Sequence, residues 1–481
     1  MNGNSFAVSN LLVRPAQSKD FEGFSAACGG ASCLTLETLQ TMILKCMLPL
    51  ILLVSVIFMS FHSSVFAQDS PADDLLRKRA RAIHEKVIAL DTHIDFSPAH
   101  LTGERNYTER LDTQFNLPNM IDGGLAGLFF SIFVPQTRES QNAEAFAAAG
   151  YERAYKLAVE KFDAVQRFAR EIAPDKIEPA LNSTDAHRIH ARGKKFALMG
   201  VENGYPIGND IARVKEFYER GARYLSLTHN GHNQLADSHT GERDGWKWNG
   251  LSPFGKQVVA EMNRLGIMVD VSHASKEAMM QIAGLSKAPI IASHSAARAL
   301  CDVSRNMDDE QLLALKKTGG VIQVVAYDGF VKTSKPDSSE RAAALAAARK
   351  DFNLPETVGL GQRARFQAAV KKLSAKQRAE YEKKLADIDK QHPGDAPANL
   401  KDFVDHIDYA VKLLGIDHVG ISSDFDGGGG VVGWNDASET FNVTLKLVRR
   451  GYAEEQIEKL WGGNLLRVMD EVQRIAREMQ K

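Results

Sequence analysis

The chain has 481 residues, 44% of them hydrophobic and 25% charged, an ordinary globular composition with ample material for one large core. Lys and Arg number 59 against 60 Asp and Glu, a formal net charge of −1. That balance argues against a nucleic-acid binder or a polybasic membrane patch, since both need concentrated positive charge.

The N-terminal segment reads as a targeting signal and not as fold. Lys45 precedes an apolar run over residues 47–61; Val65-Phe66-Ala67 then puts small residues where a signal peptidase recognises them, ahead of polar Gln68-Asp69-Ser70. A membrane-spanning helix takes roughly 20 apolar residues, so this run is short for one. Residues 1–67 are therefore expected to be removed on export, to a periplasm or the medium, with retention as an N-terminal membrane anchor as the alternative. Met42 and Met47 are alternative starts. Cys28, Cys33 and Cys46 fall in the removed segment, which leaves Cys301 alone in residues 68–481. No internal disulfide is then possible, and Cys301 reads as a small buried hydrophobe rather than a nucleophile. The C-terminal residues 474–481 are charged, without a hydrophobic tail, so no GPI anchor is expected.

From Lys86 onward, short β-rich apolar runs alternate with helical patterns, the signature of βα units around a parallel sheet. The runs fall at 87–91, 126–134, 196–201, 224–228, 267–271, 289–293, 320–325 and 418–422. Eight such units predict an α/β fold closed as a (β/α)₈ TIM-type barrel, in preference to an open doubly wound sheet. Between the seventh and eighth runs lies a long insertion, residues 332–399, rich in Ala, Lys, Arg, Glu and Gln. Helices are predicted there over 341–349, 363–373 and 375–389, punctuated by prolines. The insertion leaves a strand on the catalytic face, either as a lid or as a solvated helical appendage.

Six of the eight runs end in a residue able to do chemistry. The first exits into His93-Ile94-Asp95, the third into Glu202, the fourth into His229, the fifth into His273, the sixth into His294 and the eighth into Asp424. The C-terminal strand ends are where barrel enzymes place their sites. A single histidine beyond an apolar run is usually a hydrogen-bonded rim residue. Six such groups in register resist a packing explanation, because unpaired polar groups at strand ends cost stability.

In an extended backbone His93 and Asp95 point the same way and can share one metal ion. His273 and His294, from adjacent strands, can hold a second, with Glu202 bridging the two. Nitrogen and carboxylate ligands without thiolates favour Zn²⁺, with Mn²⁺ or Co²⁺ as substitutes, and such a pair activates water for hydrolysis. Asp424 is placed to move the proton between attacking water and leaving group, or else to orient a histidine ligand. His229 is a candidate donor to a developing oxyanion. Arg305, a short loop beyond the sixth run, matches a substrate carboxylate, or is a surface ion pair.

These motifs, in order, resemble the membrane dipeptidase (renal dipeptidase) family of zinc peptidases. The resemblance rests on Ile88-Ala-Leu-Asp-Thr-His-Ile-Asp95, Gly200-Val-Glu-Asn203, Arg223-Tyr-Leu-Ser-Leu-Thr-His-Asn230, Val269-Asp-Val-Ser-His273, Ser293-His-Ser295, Ser304-Arg-Asn306 and Gly420-Ile-Ser-Ser-Asp-Phe-Asp-Gly427. It covers nearly all of the mature chain. It implies two zinc ions per chain, with His93 and Asp95 on one, His273 and His294 on the other, and Glu202 on both. It further implies Asp424 as acid and base, and His229 and Arg305 as substrate contacts. A dipeptide substrate, tolerance of a D-residue on its C-terminal side and a homodimer come with the resemblance. The disulfides and GPI anchor of the vertebrate members have no counterpart here. An N-acyl-amino-acid or lactam amidohydrolase on the same site is the alternative enzyme. A metal-containing binding protein without catalysis is the alternative of another class.

Overall fold

Each apolar run pairs in parallel with the next because a helix carries the chain back between them, and the sheet curls until its two edges meet. The computed structural model describes residues 71–355 and 372–481, together with 366, 369 and 370. The expected signal segment, residues 1–67, lies outside them, and Ser70–Lys481 forms one compact unit. Its strands are β1 (Leu90–Ile94), β2 (Gly127–Phe133), β3 (Ile177–Pro179), β4 (Lys195–Glu202), β5 (Ala222–Ser226), β6 (Met268–Asp270), β7 (Ile290–Ser295), β8 (Val321–Val325) and β9 (Val419–Ser422). All pairings are parallel, in the order β1-β2-β4-β5-β6-β7-β8-β9. The ring closes where the Asp95 N–H donates to the Phe425 carbonyl (2.9 Å) and the Asp424 N–H to the His93 carbonyl (3.2 Å). This is the predicted eight-stranded barrel.

Two details differ from the sequence reading. The first strand runs three residues later than the apolar pattern indicates, through the polar Thr92 and His93 to Ile94. The Thr92 hydroxyl donates to the Ser293 carbonyl, so polar side chains are satisfied inside the barrel and apolarity is no guide to where the strand ends. The three-residue β3 pairs with the lower half of β4, off the barrel path. Its Ile-Glu-Pro sequence is too short, and its proline too discouraging, to read as a strand.

The barrel interior divides into an apolar floor and a polar mouth. Leu90, Phe129, Leu198, Tyr224, Met268, Ile291 and Val321, from seven strands, form one cluster with Leu465, Leu466, Val468, Met469 and Val472. The last five lie on one face of the C-terminal helix Asn464–Met479, at the i, i+3, i+4 spacing that buries a helical stripe. A larger cluster fills the space between the strands and the surrounding helices.

The insertion contains helices Ser339–Asp351 and Ala375–Gln391, capped by the Ser338 and Ser374 side chains. They pack on each other around Ala348, Leu354, Tyr381 and Ile388. The helix predicted over 363–373 falls largely outside the described residues. Cys301 is buried and unpaired, its thiol donating to the Gly329 carbonyl at 3.6 Å. No described helix is long and apolar enough to cross a membrane.

Candidate metal centre

All eight predicted site residues converge at the C-terminal end of the barrel. Asp95, Glu202, His229, His273, His294, Arg305 and Asp424 line a cavity of about 560 Å³, and His93 lies buried directly beneath it. His93, Glu202 and His294 are delivered within β1, β4 and β7, while the other five stand on the loops beyond strand ends. The backbone bends sharply to aim them: His273 (φ 67°) and Asp424 (φ 58°) adopt left-handed conformations that cost a non-glycine residue about 1–3 kcal/mol. Gly427 is required close by, since a Cβ there would lie 2.3 Å from Asp95 Oδ2 and 2.4 Å from Asp424 Oδ1.

Glu202 sits at the centre, with its two oxygens facing different nitrogens. Oε2 is 3.2 Å from His93 Nε2. Oε1 is 3.1 Å from His273 Nε2, 3.5 Å from His294 Nε2 and 3.7 Å from His229 Nε2. His93 Nε2 also lies 3.7 Å from Asp95 Oδ2 and 3.9 Å from Asp424 Oδ1. Three groups have potential ligand atoms close enough to share an ion: His93, Glu202 and His294; Glu202, His229 and His273; and His93, Asp95 and Asp424. His294 stacks on His93 with ring centroids 3.9 Å apart, so it borders both halves of the cluster.

The far side of each candidate ligand histidine is held by a hydrogen-bond partner. The Tyr224 hydroxyl donates to the Thr92 carbonyl (3.3 Å) and accepts from His93 Nδ1 (2.9 Å). The Ser293 hydroxyl donates to Asp270 (2.7 Å) and accepts from His294 Nδ1 (2.8 Å). Asn230 Oδ1, which can only accept, takes His273 Nδ1–H at 3.1 Å. His273 and His294 therefore carry the proton on Nδ1 and turn an Nε2 lone pair inward, and His93 likewise donates from Nδ1 and points its Nε2 at the carboxylates. His93 Nε2 is buried without a hydrogen-bond partner, and the Nε2 atoms of His273 and His294 face each other at 2.9 Å. Two converging lone pairs and an orphaned third nitrogen, ringed by carboxylates, fit metal cations and nothing in the protein itself.

The three imidazoles differ electrostatically: against the effect of burial, Tyr224, Glu202 and Asp95 raise His93 well above the ordinary imidazole value, so without a metal it serves as the cation among these carboxylates. Burial pushes His273 and His294 well below the ordinary imidazole value, assisted by the Arg305 cation, which keeps them neutral as ligands must be. Burial alone would raise Glu202, but His93 and His229 carry it well below the usual carboxylate range. Asp424 is raised well above that range by burial, with Asp95 and Glu202 adding to it against His93 and Arg305. Arg305 is buried at 4% exposure and drawn down to about 10 by desolvation. It donates to Ser295 Oγ (2.9 Å) and the His294 carbonyl (2.8 Å), and its Nε–H has no partner. No carboxylate among the described residues forms an ion pair with it. The surface reading of Arg305 is thus excluded.

A model of the membrane dipeptidase family, peptidase family M19, matches residues 77–481. The chain belongs to the membrane dipeptidase family. Among solved structures, it is similar to the probable dipeptidase PvdM from Pseudomonas aeruginosa, at 35% identity and a TM-score of 0.66, covering 84% of this chain and 99% of that one. A metallopeptidase from Rhodobacter sphaeroides, bound to a phosphinate mimic of the dipeptide L-Ala-D-Ala, shares the fold at 22% identity and a TM-score of 0.59, over 80% of this chain and 99% of that one. Among curated proteins, the dipeptidase aclJ of Aspergillus oryzae is 29% identical over 379 residues, 78% of this chain and 74% of the relative. Membership of the membrane dipeptidases makes this chain a peptide-bond hydrolase of a metallopeptidase family.

Several residues that complete the site escape sequence reasoning. Asp270 and Ser293 lie inside apolar runs, where a buried polar residue is itself a signal. Tyr224 reads as strand filler, yet its ring occupies the space above Gly200, where a Cβ would lie 2.0 Å from it, and its hydroxyl holds His93. Lys161 and the aromatic rings of Phe96 and Phe133 form the wall over β1 and β2. The insertion contributes no described residue to the cavity lining.

Proposed function

We propose that this chain is an exported zinc dipeptidase whose two ions are held by His93, Asp95, Glu202, His273 and His294. The observation that carries the reading is Glu202, whose separate oxygens face His93 on one side and His273 with His294 on the other. Two divalent ions in such a ligand set supply Lewis acidity, lowering the pKa of water and polarising a carbonyl. Mn²⁺ or Co²⁺ would serve the same donors.

The protein's own groups divide the remaining work. Asp424 accepts the proton of the attacking water and delivers it to the leaving amine nitrogen. His229, packed on Phe133 at 4.7 Å and on His273 at 4.4 Å, donates to the oxygen where charge develops. Arg305 receives the free C-terminal carboxylate, which restricts the enzyme to short peptides. Acceptance of a D-residue at that end and a homodimeric state rest on the family resemblance.

Hydrolysis of a panel of L,L- and L,D-dipeptides, with and without chelator, tests this reading. Dipeptides should be cleaved only in the absence of chelator, whereas N-acyl amino acids cleaved in their place would establish the amidohydrolase alternative. For export, intact mass after expression in a secreting host should give Gln68 as the mature N-terminus; a membrane-retained product carrying the apolar run would establish the anchor instead.

A further inference from the structure

We infer that Lys161 selects dipeptides whose N-terminal residue carries an acidic side chain. The inference rests on the dipeptidase reading above and on the placement of Arg305.

Lys161 stands on the helix Ala148–Arg167, which follows β2, and its side chain lines the same cavity as the predicted ligands. The ammonium sits 4.8 Å from the centre of the Phe96 ring and 5.8 Å from that of Phe133. It has no hydrogen bond or ion pair among the described residues. Helical lysines ordinarily extend into water, where the ammonium is hydrated at no cost. This one is turned inward over two aromatic faces, and burial lowers its pKa, opposed only by Asp95 and Glu202. Both of those carboxylates are committed to the proposed metal centre. The cation is therefore left without a counter-charge of its own.

Position in the barrel identifies what would supply that charge. In the order β1-β2-β4-β5-β6-β7-β8-β9, Lys161 and its two phenylalanines lie over β1 and β2, while Arg305 lies beyond β7. Those places are on opposite sides of an eight-membered ring, with the Glu202 cluster between them. A dipeptide with its C-terminal carboxylate on Arg305 and its amide bond over that cluster must extend its N-terminal residue toward Lys161. An ammonium resting on aromatic rings accommodates the methylenes of a side chain and pairs with its terminal carboxylate. Aspartyl and glutamyl dipeptides have that chemistry.

The test compares Glu-Ala with Gln-Ala, which differ by charge at nearly constant shape, together with Lys-Ala and Ala-Ala. Wild-type kcat/KM should favour Glu-Ala over Gln-Ala by about tenfold or more, the scale of a charge-assisted hydrogen bond. Lys161→Met should bring the ratio close to one, and Lys161→Glu should turn the preference toward Lys-Ala. Calorimetric binding of Glu-Ala and Gln-Ala to Asp424→Asn should reproduce the wild-type preference without turnover. Equal kcat/KM for Glu-Ala and Gln-Ala in the wild type overturns the inference. So does an equal loss with both substrates in Lys161→Met accompanied by loss of metal, which would assign the lysine to balancing Asp95. Failure to cleave any of the four dipeptides would instead defeat the dipeptidase reading, and the inference with it.

Discussion

His273 and His294 bring their Nε2 atoms within 2.9 Å of each other while Asn230 and Ser293 hold the opposite nitrogen of each ring as a donor. Neither inward nitrogen then carries a proton to share, so the pair repels unless a cation lies against it. The purified protein should accordingly contain close to two metal ions per chain by elemental analysis. Glu202→Gln should lower the occupancy of both sites together, because one side chain faces both. Loss of a single ion, with the other held at full affinity, would count against the bridge.

The support behind His294 should matter almost as much as His294 itself. Ser293→Ala removes the acceptor for its Nδ1–H and the hydroxyl that donates to Asp270 Oδ2, while Asp270 Oδ1 keeps its backbone donors. Metal affinity measured by competition with a chromogenic chelator should fall about 10- to 100-fold. An unchanged affinity would show that the ring is held by packing alone.

Gly200 and Tyr224 make a longer connection. A methyl group at position 200 would overlap the Tyr224 ring, whose hydroxyl orients His93. Gly200→Ala should lower both the melting temperature and metal occupancy, with overpacking typically costing about 1–3 kcal/mol. Tyr224→Phe, which keeps the ring and deletes the hydroxyl, should reduce metal affinity with a smaller loss of stability.

Asp424→Asn preserves size but cannot accept a proton. Turnover should fall by about 10²–10⁴-fold while metal content stays near the wild-type value. Loss of metal along with activity would make Asp424 a ligand, as its 3.9 Å approach to His93 permits.

Arg305 should distinguish a dipeptidase from a general amidase. Dipeptide amides, which lack the terminal charge, should be poor substrates. Arg305→Ala should lower kcat/KM for free dipeptides by about 10- to 150-fold and narrow the gap between acid and amide. Arg305→Lys should recover little, because a point charge lacks the planar fork. Equal hydrolysis of the acid and amide forms by the wild type would remove the carboxylate from the recognition scheme.

The barrel and its proposed ligands were legible in the sequence because each ligand follows or ends a short apolar run. Strand ends therefore betray themselves as sudden polarity, and in an eight-strand barrel those ends are neighbours. The start of β1 is less legible: Val87 to Ala89 are more apolar than the strand itself, which pairing with β2 places over Leu90–Ile94. Lys161 was invisible for a different reason. It lies in an ordinary amphipathic helix beside Glu160, and nothing local distinguishes a lysine facing water from one that closure of the barrel turns toward its mouth. Tyr224 reads as strand and is one, but its role in the site resides in one hydroxyl.

The insertion leaves and rejoins the barrel through a narrow neck, with a second, exposed tie from Lys372 to Asp112 (3.7 Å). Lys332 Nζ donates to the Ala396 carbonyl (2.7 Å) and the Lys335 N–H to Asp395 (2.7 Å), so segments sixty residues apart in the chain lie side by side. The helices beyond that neck have their own apolar cluster. Such a segment behaves as a cassette: its removal asks the chain to bridge a gap already closed, and loop-closure entropy changes only slowly with length. A short Gly-Ser linker joining residues 335 and 395 should therefore leave the barrel folded. The same neck offers a place to graft a foreign helical hairpin without disturbing the chemistry below it.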